Sequence, residues 1–499
     1  MSDKSSLSTA TITEIAGAFE RGSLTSERLV QMYLDRIEAY DKRGPEINAV
    51  IKINPNSLDS ARDLDMERKK TGPRSLLHGI PVVLKDTIDV SGMSTTVGFT
   101  ELAESYPVRD ATVTRKLRDA GAIILAKVNA NDWFGNAPMS ASTLGGQTRN
   151  PYNPDFTTGG SSCGTSAALA ANYAPLGLGT DTSGSVLIPS AECGLFGMIP
   201  SRGLISRVGI MPMAPTMARV GAMARSVFDL ALLLASLMSW DPEDLTTNEA
   251  LENFPRESFH LQLSKREPGS FRLGVLREMW REEPQHDEGT AIINVILKKL
   301  RQNRVILVDP VLTGIDLREV ARLGSNNSEA VVYELLPALD AYFARLGPNA
   351  PFKTVDELID TVGVERLKGR FARALTLPPP ETSDYYLARR RTQKMLRDAI
   401  VGLMKQHGLD AVMLPFSLQG AQKIGDRADD ETRSLASHAG LPSVVMPAGY
   451  TSENLPIAVQ FIAEPYQDTI LLQLARVIEK IHPVLKLPEN TPALAGEEF

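Results

Sequence analysis

Apolar positions recur along the chain with two periods, and the switch between them outlines the architecture. Between residues 11 and 40, Leu29, Tyr33, Ile37 and Tyr40 fall at helical spacing. This predicts two helices parted at Gly22-Ser23, the first opened by the capping box Thr11-Ile-Thr-Glu14. Residues 48–53 read as a strand and 57–70 as a charged amphipathic helix, with Gly72-Pro73 as a break. Short continuous apolar runs follow. Residues 80–84, 122–126 and 175–179 read as buried strands, and helices are predicted at 111–120, 162–172 and 225–238.

The second half is more helical. Residues 240–270 are polar and contain proline, which marks a connection. Helices are predicted over 288–302 and 316–405, with a strand at 305–308 between them. Strands return at 411–414, 443–446 and 457–461, and a helix covers 469–481. Strands alternating with helices predict an α/β fold around a largely buried sheet. One domain spanning 1–499 is expected, with the 316–405 stretch packed as a helical subdomain. No internal repeat or low-complexity tract interrupts it.

Composition narrows the function. The 499 residues are 43% hydrophobic and 23% charged, as in a packed globule. A formal net charge of -7, without any long basic run, argues against a nucleic-acid binder. Lys69-Lys70 and Arg389-Arg390-Arg391 read as solvated helix faces. No apolar run approaches the ~18 residues of a membrane span. The N-terminus lacks an apolar core of signal-peptide type, and Ser2 stands where N-myristoylation needs glycine. Two cysteines, Cys163 and Cys193, are too few for a Cys₄ zinc site or a disulfide scaffold and fit a reducing, cytoplasmic setting. The six histidines show no metal-pair spacing. No metal, cofactor or membrane partner is expected, and a homodimer is left open.

Residues 157–203 differ from the rest. Two Gly/Ser loops, Thr157-Thr-Gly-Gly-Ser-Ser-Cys-Gly-Thr-Ser and Gly179-Thr-Asp-Thr-Ser-Gly-Ser-Val-Leu-Ile-Pro, flank one helix and one short strand. Small residues let backbone N–H groups approach a ligand, and the first loop opens a helix. Neither nucleotide-binding glycine pattern is present. Gly160-Ser-Ser-Cys-Gly164 matches the hydrolase elbow GxSxG literally, but loop rather than strand precedes it.

These two loops, together with Cys193-Gly-Leu-Phe-Gly-Met-Ile-Pro-Ser-Arg-Gly-Leu-Ile-Ser-Arg207, closely resemble the amidase signature family. His78-Gly-Ile-Pro-Val-Val-Leu-Lys-Asp86 looks like its lysine segment, and Arg219-Val-Gly-Ala-Met-Ala-Arg-Ser-Val-Phe-Asp229 fits the same pattern. Similarity runs from about residue 10 to 235, with a signature core at about 75–235. It resumes at 410–481, where strands and a helix (410–482) would complete the sheet. Asn129-Ala-Asn-Asp-Trp-Phe134 and Gly145-Gly-Gln-Thr-Arg-Asn-Pro-Tyr152 look most like peptide amidases and related amidases.

The resemblance implies a large mixed β-sheet flanked by helices on both faces, and hydrolysis of a carboxamide without a cofactor. It implies Ser185 as nucleophile, Ser161 as a bridging serine after a cis peptide, and Lys85 as base, with Ser162 helping to hold Lys85. The backbone N–H groups of Thr182, Ser183, Gly184 and Ser185 would form the oxyanion hole. A lysine serves as a base only if desolvation lowers its pKa, and burial at the end of an apolar strand can do that. Trp133, Phe134 and Met139 are candidates for an apolar substrate pocket, with ordinary core packing as the competing role.

Three positions depart from the commonest pattern: Cys163 and Ser183 stand where glycine is usual, and Leu187 where many members carry arginine. Leucine cannot meet a carboxylate, so Leu187 points to a small neutral amide or peptide amide as substrate. Two other functions are compatible with the motif: an amidotransferase-type subunit delivering ammonia to a partner, and an inactive amidase-like binding protein.

Overall fold

In the computed structural model, residues 5–134, 139–320, 328–367, 369–378, 380–426 and 431–499 are described. Among them, one sheet contains eleven strands. In chain order these are β1 (Val50–Ile53), β2 (Pro81–Lys85), β3 (Ile123–Val128), β4 (Leu176–Asp181), β5 (Phe196–Ile199), β6 (Arg219–Ala224), β7 (Arg272–Leu276), β8 (Ile306–Val311), β9 (Ala411–Ser417), β10 (Ser443–Tyr450) and β11 (Pro456–Ile462). Their order across the sheet is β1-β3-β2-β4-β6-β5-β10-β11-β9-β7-β8. The β3-β2-β4 and β9-β7-β8 groups are parallel, and the remaining pairs are antiparallel. The fold is therefore α/β with a large mixed sheet flanked by helices.

Continuous apolar runs become central strands because they are covered from both sides. Every residue of β2, β3 and β4 is buried. The capping box at Thr11 forms with both of its hydrogen bonds. Strands β9, β10 and β11 lie in the same sheet as the N-terminal strands, so residues far apart in sequence share one core. Three strands have no counterpart in the sequence pattern: β5, β6 and β7.

Five helices matter for the site: α1 (Cys163–Ala170), α2 (Leu187–Glu192), α3 (Ser328–Leu346), α4 (Asp384–His407) and α5 (Leu435–Ala439). The helical stretch of the second half packs around a second apolar cluster. Leu335, Leu339, Phe343 and Phe371 meet Val97, Phe99, Trp133 and Met213 there. Residues 321–327 of that stretch lie outside the described residues. Among the described residues, no helix is long and apolar enough to cross a membrane.

Candidate active site

Strand β2 ends on Lys85, and its amine is fully buried. Lys85 Nζ lies 2.7 Å from Ser161 Oγ, 3.0 Å from Thr180 Oγ1 and 3.4 Å from the Thr180 carbonyl oxygen. The Phe134 ring sits 5.4 Å away. Burial pushes the amine down to about 7, with Cys163 and Asp181 acting in the opposite direction. Desolvation penalises the ammonium form, and none of these hydrogen-bond partners is an anion that would restore it. The neighbouring Asp86 is not one either. It lies 2.9 Å from the buried amine of Lys127 and accepts from Thr96.

Ser161 is held between β3 and α1 in a loop with no room for larger residues. The Gly160–Ser161 peptide is cis. A side chain at Gly160 would lie 2.3 Å from Asn131 Oδ1. Ser162 opens α1; its N–H donates to the Ser185 carbonyl oxygen at 3.2 Å, and its hydroxyl donates to the Thr180 carbonyl oxygen at 3.3 Å. The first bond brings the two Gly/Ser loops together. The expected direct support of Lys85 by Ser162 is instead indirect, through the carbonyl oxygen of Thr180 that both approach. Cys163, the first residue of α1, is fully buried, and burial pushes its thiol up to about 11, which keeps it protonated.

Ser185 ends the second loop and is half-buried. Asp181 shapes that loop from the end of β4. Its carboxylate accepts from the N–H of Gly184 (3.0 Å), the N–H of Val186 (2.7 Å) and the Ser437 hydroxyl (2.6 Å). The Gly184 N–H is therefore already engaged, which removes it from the expected oxyanion donors. A carboxylate three residues upstream captures it as the chain turns. Among the described residues, the N–H groups of Thr182, Ser183 and Ser185 have no protein acceptor. Gly184 has φ +98°, and a side chain there would meet Ile188 and the Arg433 carbonyl oxygen.

A cavity of about 620 Å³ opens beside this centre, with Phe134, Thr180 and Thr182 on one side and Met213 and Tyr342 among its other walls. Helix α3 carries Tyr342 into it, and the Tyr342 hydroxyl donates to the buried Asp89 at 2.7 Å. Burial pushes the Asp89 carboxyl up to about 6. Five of the six charged residues of the wall are paired with one another. Arg109 and Arg345 both reach Glu243, at 2.6 and 3.0 Å, and Arg207 reaches Asp244 at 2.7 Å. Arg219 Nη1 donates to the carbonyl oxygens of Pro200 and Leu441, whereas its Nε and Nη2 are buried and, among the described residues, have no hydrogen-bond partner.

The expected pocket residues separate. Phe134 lines the cavity. Met139 is half-buried, with its sulfur 3.2 Å from where a Gly160 side chain would begin. Trp133 packs in the second apolar cluster against Phe99 and Phe371, at 5.5 and 4.7 Å between ring centroids. Leu187 does not face the cavity: it is fully buried in the main core, because the first turn of α2 directs its apolar residue inward. Thr180, Asp181, Ser437 and His438 are site residues that sequence reasoning misses. Thr180 and Asp181 lie inside the glycine-rich motif, where adjacency to Ser185 is the available signal. Ser437 and His438 have none. Among the described residues, no group of three or more His, Cys, Asp or Glu side chains is arranged to hold a metal ion.

Comparison with known proteins places the chain in a family. The amidase family model matches residues 28–472. A probable amidase of Arabidopsis thaliana is 29% identical over 98% of this chain and 93% of its own length. A glutamyl-tRNA(Gln) amidotransferase subunit of Thermus thermophilus is 31% identical over 94% of this chain and 96% of its own. The native peptide amidase of Stenotrophomonas maltophilia superposes with a TM-score of 0.85 and 29% identity, over 97% of this chain and 99% of that one. The chain belongs to the amidase family and is an enzyme of that amide-hydrolysing class.

Proposed function

We propose that the enzyme cleaves the C–N bond of a neutral carboxamide through an acyl-enzyme on Ser185, with Ser161 relaying protons between Ser185 and Lys85. The observation that carries this reading is the fully buried amine of Lys85, 2.7 Å from a serine hydroxyl and lowered to about 7. A serine hydroxyl is a weak nucleophile until a base takes its proton. An amine that is half neutral near pH 7 is matched to that task.

In the forward half-reaction Ser161 passes its proton to Lys85 and takes that of Ser185. Ser185 Oγ attacks the carbonyl carbon. The charge that develops on the carbonyl oxygen meets the N–H groups of Thr182, Ser183 and Ser185, and donors of that kind are worth roughly 3–4 kcal/mol each. The proton returns through Ser161 to the leaving nitrogen, which departs as ammonia or amine. Water then hydrolyses the ester by the same relay.

The neutral-amide reading leans on the pairing of most charges in the cavity wall. Arg109 and Arg345 are committed to Glu243 and Arg207 to Asp244, which leaves Arg219, with two buried unpartnered donors, as the one wall arginine among the described residues that is not paired with a carboxylate. A buried substrate carboxylate out of reach of Arg219 would have no partner there and would be strongly disfavoured. The 31% identity to a component of an amidotransferase supports a second reading, in which the ammonia is delivered to a partner protein. Turnover of neutral amides by the purified chain alone favours the first reading. Glutaminase activity that appears only with a companion protein favours the second.

Labelling with a serine-reactive fluorophosphonate tests the assignment. The reading expects one modified serine, Ser185, and no labelling of Ser185→Ala. Modification that persists in that variant contradicts it.

A further inference from the structure

The second Gly/Ser loop is backed by a segment far downstream in sequence. Ser434 Oγ donates to the Ser183 carbonyl oxygen at 2.7 Å, and Ser437 Oγ to Asp181 at 2.6 Å. His438, near the end of α5, brings Nε2 to 3.2 Å from Ser183 Oγ. The first two contacts would survive any residue at position 183. The third exists only because a serine stands there.

His438 is 2% exposed. Burial pushes its imidazole down to about 4, so the ring is neutral near pH 7 and carries one N–H. Its Nδ1 is buried with no hydrogen-bond partner. Buried N–H groups without acceptors are rarer than under-satisfied acceptors, so the proton belongs on Nε2, where Ser183 Oγ accepts it. Ser183 is thus tethered at its carbonyl by Ser434 and at its side chain by His438. Its peptide N–H is one of the three left without a protein acceptor.

We infer that His438 is a positioning residue: through the Ser183 hydroxyl it fixes the direction of the Ser183 N–H toward the carbonyl oxygen of the substrate. The inference rests on the reading of Ser185 as nucleophile. Oxyanion donors act only within a narrow range of distance and direction. The Ser183–Gly184 peptide is held by Ser434 and Asp181, but without the side-chain tether the Thr182–Ser183 peptide, which carries this N–H, can rotate about the Thr182 Cα–C and Ser183 N–Cα bonds.

The test measures phosphonylation of the full-length protein by a fluorophosphonate, since the phosphoryl oxygen occupies the place of the carbonyl oxygen. For His438→Leu the limiting labelling rate falls about tenfold, a fraction of the ~10²–10³ lost when a whole donor is removed. The half-saturating concentration changes by less than about twofold, as expected when only the transition state is affected. His438→Gln, whose amide nitrogen can stand in for Nε2, recovers most of the rate. Ser183→Ala slows labelling to the level of His438→Leu, and the double variant is no slower than either single one. A normal limiting rate in His438→Leu overturns the inference, as do losses that multiply in the double variant. If His438→Leu does not fold, Ser183→Ala decides alone, and a normal rate there overturns it. Failure of the underlying reading looks different: the parent protein would then carry no label on Ser185.

Discussion

Replacing Lys85 with methionine should abolish hydrolysis and stabilise the protein near neutral pH. The amine falls from its ordinary 10.5 to about 7 on burial. That shift corresponds to about 5 kcal/mol at ~1.36 kcal/mol per unit. The unfolded chain binds the proton up to about pH 10.5 and the folded chain only up to about pH 7, so between these values stability rises with pH. The full penalty is present below about pH 7, and it is gone above about pH 10.5. Methionine removes the penalty and also the contacts to Ser161 and Thr180, worth roughly 1 kcal/mol each. The two hydroxyls left behind account for part of the remainder. At pH 7 the variant should therefore be more stable by about 2 kcal/mol. Near pH 10.5 it should be less stable by a similar amount. Denaturant unfolding of parent and variant at both pH values measures this, and groups that titrate alike in the two proteins cancel. A variant less stable than the parent by the same amount at both values would refute the reasoning, because the amine would then carry no desolvation penalty.

Three further outcomes are expected. Ser161→Ala should lower kcat by about 10²–10⁴-fold, the range for a lost proton-transfer group, with KM little changed; a loss of less than threefold would remove Ser161 from the relay. Asp181→Asn presents one acceptor oxygen to a turn that now has two N–H donors on separate oxygens. It should therefore slow turnover at least tenfold, with a drop of roughly 1–3 kcal/mol in stability measured by denaturant unfolding. Tyr342→Phe leaves Asp89 without its phenol donor. It should destabilise the protein by a similar ~1–3 kcal/mol, a loss that shrinks when the pH drops below about 6 and Asp89 protonates.

Much of this arrangement is legible in the sequence, for identifiable reasons. Buried strands such as β2 and β3 are continuous apolar runs, which periodicity detects. Lys85 reads as the residue after its strand, because lysine usually ends an apolar segment; here it is the last strand residue and its amine stays inside. Strands β5, β6 and β7 escape notice because they are short, interrupted by glycine, and, in β6 and β7, begin with arginine. At the site, the resemblance to the amidase signature family points to Lys85, Ser161 and Ser185, and the structure places the Lys85 amine 2.7 Å from the Ser161 hydroxyl. The capture of the Gly184 N–H by Asp181 is a turn geometry that residue types alone do not fix. Leu187 is expected near the substrate on the grounds of what an arginine could do there, whereas an apolar side chain at the same position buries itself. The contacts from Ser434, Ser437 and His438 span about half the chain, and no local pattern can announce them. Helix α3 comes from a stretch with no informative motif, yet it supplies Tyr342 and Arg345 to the cavity wall.

The most direct measurement is the pH dependence of fluorophosphonate labelling, with Ser185 identified as the modified residue by mass spectrometry. A neutral Lys85 amine acting through Ser161 predicts a rate that climbs about tenfold per pH unit on the acid side, bends near pH 7 and is level above it. A rate still climbing at about pH 9–10, as for an ordinary solvated lysine, would contradict the account.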